Sequence, residues 1–146
     1  LDVIGRFLTI INPKFIFLGE KDYQQFFLVK KYFKKKFTTK IILCKTIRDK
    51  NKIALSTRNQ LLNKNQMQIA SNISKKLIIF KNQIDYKISN SNKLNQVKYF
   101  LLNKYKIKID YLEIRDKIKL SKNFKKNNFK IFIAYRISKI RLIDNF

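Results

Sequence analysis

Histidine and tryptophan are absent from this chain of 146 residues, which also has only one cysteine, one proline and two glycines. Without histidine there is no imidazole base, no histidine metal ligand and no Ser-His triad. A lone thiol, Cys44, cannot form an internal disulfide; at the end of an apolar run it is expected to be buried packing in a reducing compartment. Acids are scarce too, with 9 Asp and Glu against 34 Lys and Arg, a net charge of +25. No apolar run is long enough to span a bilayer and no signal-peptide pattern is visible, so a cytoplasmic protein with no membrane partner is expected. The chain opens on Leu1 rather than Met, the expected mark of a fragment or a processed product.

What is present is enough for a core: 45% of residues are hydrophobic and 14% aromatic, which excludes a disordered composition. The charge taken alone would suggest a nucleic-acid partner through phosphate contacts. Lys, Asn, Ile and Phe are enriched together along the whole chain, however, and only 30–36 and 122–126 are dense in lysine. That spread is the signature of a coding bias rather than of a localised basic patch, so no specific nucleic-acid partner is expected.

Organisation is set by periodicity. Val3, Ile4, Phe7, Ile10 and Ile11 fall on one face of a helix over 1–12 that stops at Pro13. Phe15 to Leu18 reads as a strand buried on both faces, of the parallel-sheet kind. Phe26, Val29, Tyr32 and Phe33 set a helix over 23–35, and Asp22 with Gln25 makes an acidic variant of a capping box. A second apolar strand, 39–44, ends in Ile41-Ile42-Leu43-Cys44. Helix, strand, helix, strand is the later part of a doubly wound sheet.

A domain boundary is expected near 60–64, dividing 1–60 from 61–146. Beyond it Ile69, Ala70, Ile73, Leu77 and Phe80 set a helix over 65–80, and Leu94, Val97, Leu101 and Tyr105 a second, capped by the polar loop 89–92. Ile107, Ile109 and Tyr111, then Phe129, Ile131, Ile133 and Tyr135, alternate as strands, and 141–145 adds a short third.

Two stretches carry chemistry. Gly19-Glu20-Lys21-Asp22-Tyr23-Gln24-Gln25 lies where a parallel strand runs through a glycine turn into a helix N-terminus, a place whose free amides, dipole and Lys21 cation suit a phosphate. Ala54-Leu55-Ser56-Thr57-Arg58-Asn59 gathers two hydroxyls and a guanidinium, directional donors plus a fork for an oxyanion.

With these motifs in order the chain resembles the pantothenate synthetase family, the pantoate and β-alanine ligases. The blocks are VIGRFLTIINP at 3–13, GEKDYQQ at 19–25, TIRDKNKIALSTRN at 46–59, DYLEIRD at 110–116 and RLIDN at 141–145. GEKD-x-Q-Q followed about thirty residues later by LSTRN is specific in combination. The resemblance covers only the family's second half, without the histidine-containing ATP loop of the first.

It implies the second half of a Rossmann-like nucleotide-binding domain, of the HIGH-type nucleotidyltransferases, followed by a small α+β domain with antiparallel strands. It also implies ligation of pantoate to β-alanine through a pantoyl adenylate, with ATP as substrate, Mg²⁺ alongside it, and a homodimer in the full-length family. By motif Gly19 and Asp22 would hold the ribose, with Glu20 in the same ATP-binding block. Lys21 would hold the phosphates, and Gln25 would bond pantoate. Ile47 and Leu55 would line the adenine slot, and Ser56, Thr57 and Arg58 would clamp the phosphates, Lys21 and Arg58 being the catalytic pair.

The sequence departs from the family's pattern at Lys45, Asn51 and Lys52, where Pro, Asp and Gly are usual, and at Thr57, where Ser is commoner. Thr keeps the hydroxyl. Lys52 is expected to matter if its backbone needs positive φ. The alternatives to a ligase portion are an inactive remnant and a small basic nucleic-acid-binding protein.

Overall fold

The structure is a computed structural model and describes residues 1–84, 91–125 and 127–146. Of the polar loop expected at 89–92, Ser89 and Asn90 lie outside these residues, and Ser91 and Asn92 are the first two residues of a helix rather than part of a loop. The chain forms two compact units, Leu1–Ile47 and Arg48–Phe146. The division precedes the compositional change at 60–64 because Ile53 is buried in the second unit's core, so the loop leading to Ser56 folds with the helices and strands beyond it.

The first unit runs α1 (Asp2–Ile11), β1 (Phe15–Gly19), a 3₁₀ turn (Glu20–Asp22), α2 (Tyr23–Phe33) and β2 (Lys40–Cys44). Asn12 ends α1 in the left-handed region, φ 44°, its amide bonding Leu8 O at 3.0 Å, and Pro13 prevents continuation. β1 and β2 pair in parallel from Phe15↔Lys40 to Gly19↔Cys44. A helix between parallel strands is the crossover such pairing requires. Thr39 Oγ1 donates to Pro13 O at 2.7 Å and fixes the start of the pair.

Burial in this unit departs from the periodicity. Leu8 is the buried residue of α1, whereas Val3, Phe7, Ile10 and Ile11 are exposed. α1 meets α2 on the side of Gly5, where an added Cβ would lie 3.1 Å from the Phe33 ring; the small residue, not the apolar stripe, selects the packed face. β1 is not buried on both faces either. Phe15 and Phe17 are exposed, Ile16 and Leu18 half-buried, because a two-stranded sheet covers little surface. Cys44, expected inside, is exposed at the end of β2. Phe26 and Val29 are buried as their spacing predicts, but Tyr32 is not.

The second unit contains a 3₁₀ turn (Thr57–Leu61), α3 (Lys64–Asn82), α4 (Ser91–Tyr105), β3 (Lys108–Asp116), β4 (Phe129–Ile137) and β5 (Ile140–Asn145). α3 starts on a complete capping box: Asn63 Oδ1 accepts from the Gln66 amide at 2.9 Å and Gln66 Oε1 from the Asn63 amide at 3.0 Å. The strands form an antiparallel sheet in the order β3-β4-β5. Ala70, Ile73, Leu77 and Phe80 of α3, Val97 and Leu101 of α4, and Ile131, Ile133 and Tyr135 of β4 share one core. β4 does not alternate as expected, for Lys130, Phe132 and Ala134 are buried too.

A bulge displaces Asp110 between Ile109 and Tyr111. There its carboxylate accepts from Arg141 Nε at 2.7 Å and lies 3.5 Å from Arg136 Nε. The Arg141 hydrogen bond holds the Asp110 pKa below its ordinary value against the opposing effect of desolvation, with the charges of Arg136 and Arg141 adding to the lowering. At the other end of β3 Asp116 accepts from the Ile118 and Lys119 amides, both at 2.8 Å, and from Asn128 Nδ2, closing the β3–β4 connection. No described helix is long and apolar enough to cross a membrane.

Candidate functional site

The first unit places Gly19, Glu20, Lys21, Asp22 and Gln25 together at the carboxyl end of β1. Gly19 is extended, φ −70° and ψ 135°, and is the last residue of the strand. The reversal into α2 is made by the 3₁₀ turn of Glu20, Lys21 and Asp22, not by a glycine turn. A Cβ built on Gly19 would meet nothing within 4 Å, so its surface opens onto free space. Asp22 occupies the N-cap of α2 but makes no side-chain capping bond, so the box expected with Gln25 does not form. The preceding 3₁₀ turn gives the backbone another way into the helix. The Asp22 carboxylate lies 4.0 Å from Lys21 Nζ, and the Lys21 side chain is largely covered. Gln25 is exposed on the first turn of α2.

Glu20 Oε2 accepts from the Thr46 amide at 3.2 Å, drawing the segment after β2 against the turn after β1. Ile47, the next residue, is 71% exposed. The Thr46 hydroxyl is the one buried side-chain polar atom among the described residues that has no hydrogen-bond partner. Such an orphan costs about 1–3 kcal/mol unless something fills its bond.

The second unit builds the other motif. Arg48 and Ala54 form an antiparallel bridge. Between them the Asp49 carboxylate takes the Asn51 amide at 2.9 Å and the Ile53 amide at 2.8 Å. Lys52 sits at φ 68°, the left-handed conformation that the missing glycine would adopt freely. Ser71 of α3 donates to Asn51 O at 2.9 Å and holds the loop's tip. Ile53 and Ala54 are buried; Leu55 turns outward, 55% exposed.

Ser56 caps the 3₁₀ turn, its Oγ accepting from the Arg58 amide at 3.3 Å, which leaves its proton free to donate. Asn59 Nδ2 donates to Ala54 O at 3.0 Å and closes the turn from below. Thr57 and Arg58 are exposed. The structure thus gathers Ser56, Thr57 and Arg58 on one short turn, and Gly19 to Asp22 with Gln25 on another.

The residues that hold the second turn carried no role in the sequence reading. Arg48 donates to both carboxylate oxygens of Asp144, to Lys52 O and to Asn145 O, at 2.8 to 2.9 Å. Its guanidinium lies 4.5 Å from the centre of the Phe146 ring. Asn145 Oδ1 in turn accepts from the buried Lys130 Nζ at 2.9 Å. For Arg48, Asp144 and Asn145 the signal was their place in the blocks TIRDKNKIALSTRN and RLIDN, where the resemblance gave these three no role, and Lys130 lies in neither block.

A parallel strand pair joined by a helix, followed in sequence by helices and an antiparallel sheet, defines an α/β protein of the doubly wound type with an α+β second unit. The Pantoate-beta-alanine ligase family matches residues 1–146, and the chain belongs to that family. The pantothenate synthetase of Clostridium botulinum strain Langeland is 38% identical over 147 residues, covering 99% of this chain and 52% of the relative. That of Francisella tularensis subsp. novicida is 37% identical, covering 100% and 48%.

Among solved structures, a pantothenate synthetase from Thermus thermophilus superposes with a TM-score of 0.85 at 25% identity, covering 99% of this chain and 53% of its own. The pantoate-beta-alanine ligase of Francisella tularensis, complexed with beta-gamma ATP and beta-alanine, gives 0.73 at 35% identity, covering 99% and 47%. The chain spans about half the length of the relatives it matches.

Proposed function

We propose that this chain supplies one side of an ATP-dependent pantoate and β-alanine ligase and acts together with the other half of the family's length. The observation that carries the reading is the pair of short turns, Gly19 to Asp22 and Ser56 to Arg58, each held by bonds of its own unit: the first opens at Gly19 with Lys21 half-buried beside it, and the second exposes Thr57 and Arg58. The open space at Gly19 and the orphaned Thr46 hydroxyl beside Ile47 support a ligand there. The Francisella relative, solved complexed with beta-gamma ATP and beta-alanine, supports ATP as that ligand.

In this reading a pantoate carboxylate oxygen attacks the α-phosphorus of ATP and the bond to diphosphate breaks. The β-alanine amine then attacks the acyl carbon, loses its proton and expels AMP. The nucleophile of the first step is already an anion, so the residues here need only position reactants and balance charge. Lys21 and the Ser56, Thr57 and Arg58 group take phosphate oxygens; Gly19 and Asp22 take the ribose, Glu20 fixing their turn to Thr46. Ile47 and Leu55 present apolar surface to adenine, and Gln25 bonds pantoate. Mg²⁺ is proposed as the companion of ATP rather than a resident ion. Among the described residues no three His, Cys, Asp or Glu side chains gather to hold a metal. A cytoplasmic homodimer belongs to the same proposal.

The test joins this chain to the N-terminal half of the Francisella relative and follows pantoate-dependent exchange of labelled diphosphate into ATP. The expected result is exchange by the joined protein and none by the chain alone. A well-folded joined protein that stays inert would overturn the reading in favour of an inactive remnant.

A further inference from the structure

Asp144 faces the base of the loop that carries Ser56, Thr57 and Arg58, and both of its oxygens are taken by Arg48, at 2.8 and 2.9 Å. The pair is well covered: the side chains are 19% and 7% exposed. We propose that Arg48 is the positioning residue of that loop, with Asp144 on β5 as its anchor. The inference rests on the ATP reading above for its consequence in catalysis, though not for its geometry.

Arg48 is poorly placed to serve as a phosphate fork, because all four N–H groups of its two terminal nitrogens are already committed and only Nε–H is left. Of the five N–H groups of a guanidinium, Nη1 gives two to Lys52 O and Asp144 and Nη2 two to Asp144 and Asn145 O. Its charge is balanced by a bidentate carboxylate, the geometry that fixes orientation as well as distance. What it can do is transmit position. The bond to Lys52 O closes the loop over the residue held at φ 68°. The bridge from Arg48 to Ala54 then places the backbone two residues before Ser56, and Asn59 ties Ala54 to the 3₁₀ turn. A rigid path therefore runs from β5 through Arg48 to the proposed phosphate donors. Ser71 and Ile53 hold the loop's tip and interior, so Arg48 and Asp144 are its attachment to the sheet.

The experiment compares wild type with Asp144→Asn, which keeps the shape and removes the charge, and with Arg48→Lys, which keeps the charge and removes the fork. Amide hydrogen exchange of the 146-residue chain should quicken on the order of tenfold at Ile53, Arg58 and Asn59, while the β3–β4 ladder amides keep their wild-type protection and report an intact fold. Unchanged rates at the three loop amides would overturn the proposal. In the joined ligase the same variants should raise KM for ATP on the order of tenfold and leave KM for pantoate unchanged. A mere loss of folded enzyme would lower kcat and move neither KM. A loosened loop with an unmoved KM for ATP would overturn the catalytic consequence. An inert wild-type ligase would overturn the ligase reading alone, and the exchange rates would still decide whether Arg48 and Asp144 hold the loop.

Discussion

The amide of Thr46 donates to Glu20 Oε2 at 3.2 Å across 26 positions of sequence, so the turn after β1 and the segment after β2 are held by one bond. Removing the acceptor in Glu20→Ala should expose the Thr46 amide. A hydrogen bond to a charged acceptor contributes about 1.5 kcal/mol, which is roughly tenfold in local opening. Amide exchange at Thr46 should therefore accelerate by that factor, with the Lys40 amide, bonded to Lys14 O, as the unchanged internal control. Equal rates in variant and wild type would show that the parallel pair alone fixes the segment.

Lys52 is held at φ 68° without the freedom of glycine. An L-residue in that conformation costs about 1–2 kcal/mol, and a glycine returns part of the gain through unfolded-state entropy. Lys52→Gly should stabilise the second unit by about 0.5 to 1 kcal/mol, read as a raised thermal midpoint, while Lys52→Val should lower it. A lowered midpoint for the glycine variant would mean that the lysine side chain contributes more than its backbone costs.

Tyr135 is 3% exposed on β4. Burial raises its phenol pKa, the Asp144 carboxylate raises it further and Arg48 opposes both. The folded state thus keeps a proton that the unfolded chain releases near its ordinary value of 10.0. Stability is full below that pH and is lost as pH rises above it. Urea unfolding from pH 9 to 11 should show a steeper fall for wild type than for Tyr135→Phe. Parallel curves would refute the assignment.

In the joined ligase Lys21→Ala and Arg58→Ala should each cost about 2–4 kcal/mol of transition-state stabilisation in diphosphate exchange, the loss usual for one preorganised donor. Gln25→Ala should raise KM for pantoate more than KM for ATP. Indifference to both cations would leave the family membership intact and displace the site.

The spread of basic charge predicts nucleic-acid binding that is weak and indifferent to sequence. Filter binding across a salt series should show it vanish by about 200 mM, where a few phosphate contacts no longer hold. Selective binding that survives this salt would argue for a genuine nucleic-acid partner.

The second unit was the more legible part of the sequence. Its helices bury stripes against strands of the same unit, so Ile73, Leu77 and Leu101 satisfy locally the period that announced them. In the first unit period and burial part company. The stripe of Val3, Phe7, Ile10 and Ile11 marks a face suited to burial, yet α1 packs through Gly5, whose importance no hydropathy pattern displays. Both motif turns were visible because glycine, hydroxyl and cation are chemically distinctive in a row. Their supports were not, since a contact such as Arg48 to Asp144 joins residues that say nothing of each other locally. The helix cap was placed at Asp22 and Gln25, whereas a box forms at Asn63 and Gln66, where extended residues Leu62 and Asn63 separate the helix from the 3₁₀ turn before it instead of the turn running straight in.

Arg48 and Asp144 are separated by 96 positions, so a ribosome delivers the loop long before it delivers the carboxylate that holds it. At roughly 5–20 residues per second this interval lasts roughly 5–20 s. Throughout it the strained turn at Lys52 and the exposed Thr57 and Arg58 have no attachment to β5, which has yet to be made. Maturation of the loop is thereby timed by the synthesis of β5, and a nascent chain halted before Asp144 would carry the Ser56 to Arg58 turn without its attachment to that strand.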